Sequence, residues 1–201
     1  MRIILASQSP RRKKILNQLG LNFEVIPSSI VESSTETDPT KLVVELAELK
    51  AMDIAMSHAD SLIIGSDTIV VKGNNILGKP KDKNEASKML NSLSGIQHYV
   101  YTGVALLQTD INLNIIKTIK FFVETKVYFS NIDQNEIDAY IESGSPMDKA
   151  GSYGIQDDWG ATFVEKIDGD FYNVVGLPIN RLYCELKKHF PKIIKSQLIQ
   201  S

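Results

Sequence analysis

The stretch IILASQSPRRKK, residues 3–14, joins an apolar run to a segment with strong helix-start signals. Ile3 to Ala6 form a continuous apolar run, which is typical of a short buried strand. Ser9 followed by Pro10 is a favourable helix N-cap with proline at the first helical position. Gly20 predicts the end of that helix. The chain is therefore expected to open with a strand that passes directly into a helix.

The remainder of the chain alternates between strand-like and helix-like segments. Further strands are predicted at 23–26, 61–71, 99–107, 115–128 and 163–167, and further helices from Asp38 to about His58, from Asp82 to Leu93, from Asp133 to about Gly144 and from Pro178 onward. The segments 99–107 and 115–128 flank a polar turn, which predicts an antiparallel hairpin. Interleaved strands and helices with such a hairpin indicate an α/β domain on a mixed sheet. The tail 191–201 shows no decisive pattern and is compatible with a frayed helix.

Composition excludes several classes of protein. The chain has 201 residues, 43% of them apolar and 23% charged, which is typical of a globular protein rather than a disordered or collagen-like one. Its 22 basic and 24 acidic side chains give a net charge of −2, so no basic field for nucleic acid is expected. Cys184 is the single cysteine, which excludes an internal disulfide and suits the cytosol. We find neither a signal peptide nor an apolar run near the ~20 residues of a membrane span, and we expect one cytoplasmic domain over residues 1–201 without a membrane partner.

The predicted first helix starts in an unusually cationic segment. Five basic side chains and no acidic one lie within the first twenty residues. A helix N-terminus presents free N–H groups and a partial positive charge, so Arg11 and Arg12 are electrostatically misplaced there unless an anion binds. Serine hydroxyls, amides and guanidinium groups together suit a chain of phosphates. The alternative interpretation is a solvated basic turn in which Ser9 only caps the helix.

Asp67 interrupts the apolar segment LIIGSDTIVV, residues 62–71. Aspartate has poor β-propensity, and a buried carboxylate without a partner is costly, so we expect Asp67 to be paired, to bind a metal or to act in catalysis. The alternative is a turn or bulge at a strand end. Next to an anion site, binding a metal or activating water is the favoured role.

Two further charged residues lie near the helix predicted from Pro39. Lys50 falls on its apolar stripe, so its side chain either extends past that stripe to solvent or reaches into a site. Glu32, in the polar loop before this helix, is a candidate carboxylate on weaker grounds.

The segment GNNILGKP, residues 73–80, nearly fits a phosphate-binding loop. It ends in Pro80, which lacks the hydroxyl that would bind Mg²⁺ and disfavours the helix that should begin there. We reject that interpretation and keep Lys79 as a candidate phosphate contact.

Glycines and a proline predict a loop at GSPMDKAGSYGIQ, residues 144–156, whose Gln156 offers hydrogen bonds to a base or a ribose. Gly176 to Pro178 are interpreted as a structural turn into the last helix. The histidines lack metal-ligand spacing, and Cys184 lacks an obvious histidine partner, so zinc and thiol chemistry are not expected.

Seven short motifs, taken in order, resemble those of the Maf-like nucleoside triphosphate pyrophosphatases. They are LASQSPRR (5–12), SDT (66–68), LGKP (77–80), LSG (93–95) continuing through His98 to Thr102 and Gly103, DKAG (148–151), YGIQ (153–156) and NVVGLP (173–178). They cover about residues 3 to 187. The resemblance implies one Maf/ITPase-like α/β domain, usually a homodimer, with helices flanking a twisted mixed sheet and the nucleotide in a cleft across it.

The resemblance also implies hydrolysis of a nucleoside triphosphate to the monophosphate and pyrophosphate with a divalent cation, Mg²⁺ or Mn²⁺. It makes Asp67 the proton acceptor that activates water. It assigns base specificity to Arg11, Thr68 and Gln156, phosphate contacts to Ser7, Arg12, Lys50 and Lys79, and metal-side positions to Asp67, Glu32 and Asp82. The spacing of Asp82 to Glu85 equally predicts a helix cap.

The versions of these motifs resemble the branch that acts on dTTP and UTP rather than the branch that prefers 7-methyl-GTP. One departure is Asp157, because family members more often place a glycine directly after the glutamine. The implied role is house-cleaning of nucleotide pools, including modified pyrimidine nucleotides. The alternative is a regulatory inhibitor of septum formation that acts by binding and not by catalysis.

Overall fold

A computed structural model describes residues 1–31, 33–156 and 158–198 of the protein. The strands are β1 (Arg2–Ala6), β2 (Glu24–Val25), β3 (Ser61–Lys72), β4 (Asn75–Leu77), β5 (Gln97–Thr109), β6 (Ile115–Phe129) and β7 (Val164–Asp168). The helices are α1 (Pro10–Asn17), α2 (Pro39–Ala55), α3 (Lys83–Leu93), α4 (Gln134–Glu142), α5 (Phe171–Val175), α6 (Ile179–His189) and α7 (Pro191–Leu198). None of the helices in the described ranges is long and apolar enough to cross a membrane.

The strands form one mixed sheet in the order β2-β1-β3-β5-β6-β7, with β4 paired to β3. Strand β1 is parallel to both β2 and β3, and its Ala6 lies opposite Gly65. The pairs β3–β4 and β6–β7 are antiparallel. The predicted α/β class and mixed sheet are thus confirmed, and β5 and β6 are sheet neighbours as the hairpin prediction requires.

The described chain divides into two compact units. Unit 1 contains the described residues of Met1–Asp67, Thr102–Val123 and Gly176–Ser201, and unit 2 contains those of Thr68–Tyr101 and Glu124–Val175. The expectation of a single domain and of a nucleotide cleft stays a prediction.

In unit 1, helix α2 lies directly on the backbone of the sheet. Asp38 starts the helix by accepting a hydrogen bond from the Thr40 amide at 2.8 Å, and Pro39 occupies the first turn. A Cβ atom on Gly65 would collide with the carbonyl oxygen of Ala47, and one on Gly103 would collide with that of Val43. Glycine at these two strand positions therefore permits the close approach of the helix.

Small and branched apolar side chains fill the core beneath α2. The buried cluster consists of Ile4, Ala6, Ala47, Ala51, Ile54, Ala55, Ile63, Ala105 and Leu107. Alanines on the inner face of the helix reduce the distance between α2 and the strands, which matches the glycine contacts.

In unit 2, helices α3 and α4 pack around an aromatic core. Asp82 caps α3 by accepting a hydrogen bond from the Glu85 amide at 2.7 Å, and the Glu136 carboxylate accepts one from the Asp133 amide at 2.9 Å at the start of α4. Both helix starts predicted from the acidic spacing are confirmed. The core contains Val70, Leu90, Val100, Phe129, Ile137, Tyr140, Tyr153 and Phe163, among others.

Several short elements differ from their predictions. Helix α1 ends at Asn17, and Gly20 follows a further turn with φ of +65°. Strands and helices of only a few residues, β4 and α5, were not predicted because they are too short to show a hydrophobic period. The tail is helical from Pro191 to Leu198 in the described part, and the remaining tail positions lie outside it.

We predict that Gly65→Ala lowers the free energy of unfolding by about 1–3 kcal/mol or more, because the new methyl group meets the α2 backbone. Urea unfolding measures the effect. Gly78→Ala is the matched control, since a Cβ there meets no atom within 4 Å. Equal unfolding midpoints for the two variants would contradict the close contact.

Candidate active site

Asp67 lies within an unbroken strand and is paired. Strand β3 runs from Ser61 to Lys72, so the alternative of a turn at a strand end is wrong. The Nζ atom of Lys50 lies 2.6 Å from Oδ1 of Asp67, and the two side chains are only 12% and 10% exposed. The structure thus confirms that a buried carboxylate at this position has a partner.

Helix α2 brings Lys50 to this carboxylate. Ala47, which contacts Gly65, precedes Lys50 by almost one helical turn, and Gly65 precedes Asp67 by two residues on the strand. Residues three apart on a helix and two apart on a strand share a face. The contact at Gly65 therefore places the ammonium group beside the carboxylate, and the Lys50 side chain ends at this buried partner instead of extending to solvent.

The start of α1 is organised by two serines. Ser9 caps the helix, with its Oγ accepting from the Arg12 amide at 3.4 Å. The buried Oγ of Ser7 accepts from the Ser9 amide at 3.2 Å and from Nη1 of Arg12 at 3.3 Å. Arg11 lies in the same turn and is partly exposed. The cap predicted for Ser9 is confirmed, but the Arg12 side chain folds back onto the protein, which a fully solvated basic turn does not explain.

One backbone carbonyl links this helix start to β3. Nε of Arg12 donates to the carbonyl oxygen of Gly176 at 2.8 Å, and Oγ of Ser66 donates to the same oxygen at 3.2 Å. Ser66 directly precedes Asp67, so the guanidinium group lies close to the part of the strand that carries the carboxylate. The expected meeting of cationic and acidic groups is observed for Lys50 and Asp67, and for Arg12 it stays a prediction.

Ser66 and the carbonyl group of Gly176 are not predictable as site groups from the sequence. Both residues lie in the motifs described above, where the pattern at Gly176 predicts only a turn. Its φ of +120° lies in the region that favours glycine, and this property directs its carbonyl group. The motif alone carried no sign of what that carbonyl contacts.

In unit 2, the loop 144–156 is held by a buried lysine and by a backbone contact. Nζ of Lys149 donates to the Ser145 carbonyl at 2.6 Å and lies 2.8 Å from Oδ1 of Asp148. The Gly151 amide donates to the carbonyl of Gly78 at 3.0 Å. This bond fixes the loop to the segment that carries Lys79, whose own side chain is exposed.

An aromatic cluster supports the end of the same loop. Nε2 of His98 lies 2.8 Å from the hydroxyl of Tyr153, and the hydroxyl of Tyr140 accepts from the Gly154 amide at 3.2 Å. The Phe129 ring packs edge-on against both His98 and Tyr153, with centroids 4.8 and 4.7 Å apart. Burial lowers the pKa of His98 to about 4 and raises the pKa of Tyr153, so both are neutral near pH 7.

Gln156 follows this supported segment. Its side-chain nitrogen is buried, and no hydrogen-bond partner for it lies among the described residues. Buried amide donors normally have partners, so this group is available for a ligand. The observation fits the predicted contact with a base or ribose.

The remaining candidate residues have different settings. Thr68 lies partly exposed on β3 in unit 2, directly after Asp67. Asp82 is exposed, and its cap on α3 confirms the structural interpretation, whereas its metal role stays a prediction. Glu32 lies outside the described residues. Within the described ranges, no group of three or more His, Cys, Asp or Glu residues is arranged to hold a metal ion.

The fold and these side chains define a class: an α/β protein with guanidinium, ammonium and hydroxyl groups suited to an anion, beside a buried carboxylate suited to proton transfer. A family model described as Maf-like protein matches residues 2–189, and the chain belongs to this family.

Several curated relatives are similar over almost the whole chain. A protein of Thermoanaerobacter sp. (strain X514) named dTTP/UTP pyrophosphatase is 47% identical over 191 residues, which are 94% of this chain and 97% of that protein. A Bacillus anthracis protein of the same name is 48% identical over 188 residues, 93% of this chain and 95% of that one. Neither name refers to septum formation.

Among solved structures, the Staphylococcus aureus Ham1 protein has a TM-score of 0.42 and 13% identity to this chain, and the match covers 64% of this chain and 72% of that one. This similarity is too distant to inform the site.

We predict that burial of His98 makes the protein less stable in mild acid. The unfolded chain takes up a proton near the usual histidine pKa of about 6.5, whereas folded His98 resists protonation down to about pH 4. Stability should therefore fall as the pH drops from 6.5 to 4, by roughly 3 kcal/mol from this residue.

Urea unfolding at pH 7 and at pH 4.5 measures this change. His98→Gln should flatten the pH dependence in this range, while His58→Gln, at a histidine outside the cluster, should keep it. An unchanged slope in His98→Gln would disprove the assignment.

Proposed function

We propose that this protein hydrolyses dTTP and UTP to the nucleoside monophosphate and pyrophosphate. The observation that best supports this proposal is the buried Lys50–Asp67 pair, together with the bond from Arg12 to the Gly176 carbonyl, which Ser66 also binds. Membership of the Maf-like family and the names of its relatives support the substrate class. The sequence motifs also resemble those of the family branch that acts on dTTP and UTP, which supports pyrimidine nucleotides as substrates.

In the proposed reaction, water attacks the α-phosphorus, the bond from the α-phosphorus to the bridging oxygen breaks, and pyrophosphate leaves. Asp67 accepts the proton of the attacking water at Oδ2, because Oδ1 is bonded to Lys50. Proton transfer of this kind contributes about 10²–10⁴-fold to a rate.

The cations and the serine hydroxyl would bind the phosphates. Arg12, Lys50 and Lys79 can compensate negative charge that develops on the phosphate oxygens, and Ser7 adds a hydroxyl group. Ser7, Arg12 and Lys50 are fixed in unit 1 by the contacts described above. Because they are ordered before the ligand arrives, little reorganisation is needed during the reaction.

A divalent cation, Mg²⁺ or Mn²⁺, is proposed as the cofactor. Mg²⁺ is commonly bound by one or two carboxylates together with substrate phosphates rather than by a complete cage of protein ligands. The carboxylate of Asp67 fits such a site, and we propose Glu32 and Asp82 as further metal-side residues. When bound, the cation would polarise the phosphate oxygens.

Base selection is proposed for Arg11, Thr68 and Gln156. The buried side-chain nitrogen of Gln156 supports its part in this assignment. We further propose a cytoplasmic homodimer with a house-cleaning role in nucleotide metabolism.

Incubation with dTTP or UTP and Mg²⁺ should release monophosphate and pyrophosphate in equal amounts. Asp67→Asn should reduce kcat by about 10²–10⁴-fold, since the amide cannot accept the proton. Asp138→Asn, at an exposed position of α4, is the control and should retain activity. Release of orthophosphate in place of pyrophosphate would disprove the proposed reaction.

Gln156→Ala should reduce the discrimination between dTTP and dCTP by about tenfold, because one buried hydrogen bond to a base is worth ~1–3 kcal/mol. Hydrolysis of the best substrate should slow less. The ratio of kcat/KM values measures discrimination, and Gln134→Ala on α4 is the control. An unchanged base preference would rule out this role for Gln156.

A further inference from the structure

We propose that Ser66 is a positioning residue that acts through the carbonyl group of Gly176 to fix Arg12 relative to Asp67. This inference rests on the proposed function of the same site. In this inference, the carbonyl oxygen of Gly176 fixes the position of the Arg12 guanidinium group relative to the Asp67 carboxylate.

The shared oxygen is the central observation. The carbonyl of Gly176 accepts from Nε of Arg12 at 2.8 Å and from Oγ of Ser66 at 3.2 Å. A carbonyl oxygen has two lone pairs, and these two donors use both. The Ser66 side chain is fully buried, so water does not compete for its hydroxyl.

The guanidinium plane is fixed by two separate acceptors. Nε of Arg12 is bonded to the Gly176 carbonyl, and Nη1 is bonded to Oγ of Ser7 at 3.3 Å. Because the guanidinium group is planar and rigid, two hydrogen bonds to different acceptors restrict both its position and its rotation. Lysine at this position could not reproduce the arrangement.

The backbone of Gly176 fits this task. Its φ of +120° is accessible to glycine but strained for other residues. The hydrogen bond from Ser66 then ties the carbonyl to β3, one residue before Asp67. Without this bond, the carbonyl would be held to the strand less firmly, and Arg12 would follow its movement.

Positional precision of this kind affects catalysis strongly, because a displacement of about 1 Å can cost on the order of 100-fold in rate. Ser66→Ala keeps the Arg12 and Asp67 side chains and removes only the hydrogen bond that holds the Gly176 carbonyl to β3. We therefore expect weaker phosphate binding and slower hydrolysis without loss of the fold.

The test is a double-mutant cycle between Ser66→Ala and Arg12→Lys, with the binding of inorganic pyrophosphate measured by calorimetry. In the parent protein, Ser66→Ala should weaken binding by about three- to tenfold. In the Arg12→Lys background, the same change should have almost no effect. A purely structural role would give the same factor in both backgrounds and would overturn the inference.

Ser61→Ala is the matched control, because Ser61 is also a fully buried serine of β3 but donates to the Ala59 carbonyl. It should lower the unfolding temperature without changing pyrophosphate affinity. Ser66→Cys is nearly isosteric and a weaker donor, so it should reduce the affinity for pyrophosphate by a smaller factor than Ser66→Ala. This variant replaces Ser66→Ala in the cycle if the alanine variant folds poorly.

Hydrolysis of dTTP in the same preparations separates the two proposals. If the Ser66→Ala effect on pyrophosphate binding depends on Arg12 but neither dTTP nor UTP is hydrolysed, the positioning role is supported and the proposed function is refuted. If dTTP is hydrolysed but the Ser66→Ala effect is the same in both backgrounds, the proposed function is supported and the positioning role is refuted. A parent protein that does not bind pyrophosphate would overturn the positioning role.

Discussion

The close contact of helix α2 with two strand glycines is the constraint on which the site in unit 1 depends. Gly65 and Gly103 let the helix backbone reach the sheet, and this approach carries Lys50 to the Asp67 carboxylate. A buried ion pair gains little net stability, because desolvation offsets most of the attraction between the charges. The pair is therefore better explained by the orientation that Lys50 gives to the Asp67 carboxylate than by a contribution to folding.

Unit 2 positions its residues by a different principle. The loop 144–156 contains two 3₁₀ turns, Ser145–Asp148 and Ala150–Ser152. Side chains from outside support its end: His98 bonds Tyr153, and the Tyr140 hydroxyl bonds Gly154. Neutral, buried partners suit this task because they need no compensating charge. Gln156 thus follows directly after a segment that buried aromatic side chains support.

The sequence predicted the features that depend on local chemistry. The strand-to-helix start, the acidic caps of α3 and α4, and the need of Asp67 for a partner follow from propensity, capping and desolvation. The identity of that partner was not predictable, because Lys50 meets Asp67 only through the docking of α2 on Gly65. The carbonyl of Gly176 was hidden for a related reason: every residue has a carbonyl group, so its use by Arg12 and Ser66 leaves no trace in side-chain type. Family resemblance supplied the predicted roles of residues such as Thr68, which composition and spacing did not single out.

The glycine contacts beneath α2 also determine where its sequence is free to change. The inward face cannot enlarge at Ala47 or Ala51, since the helix has no room to withdraw from the strands without separating Lys50 from its carboxylate. The outward face, where Met52 is exposed, meets no such limit. Evolutionary drift in this helix should therefore accumulate on its solvent side, while the side that touches the sheet stays confined to small residues.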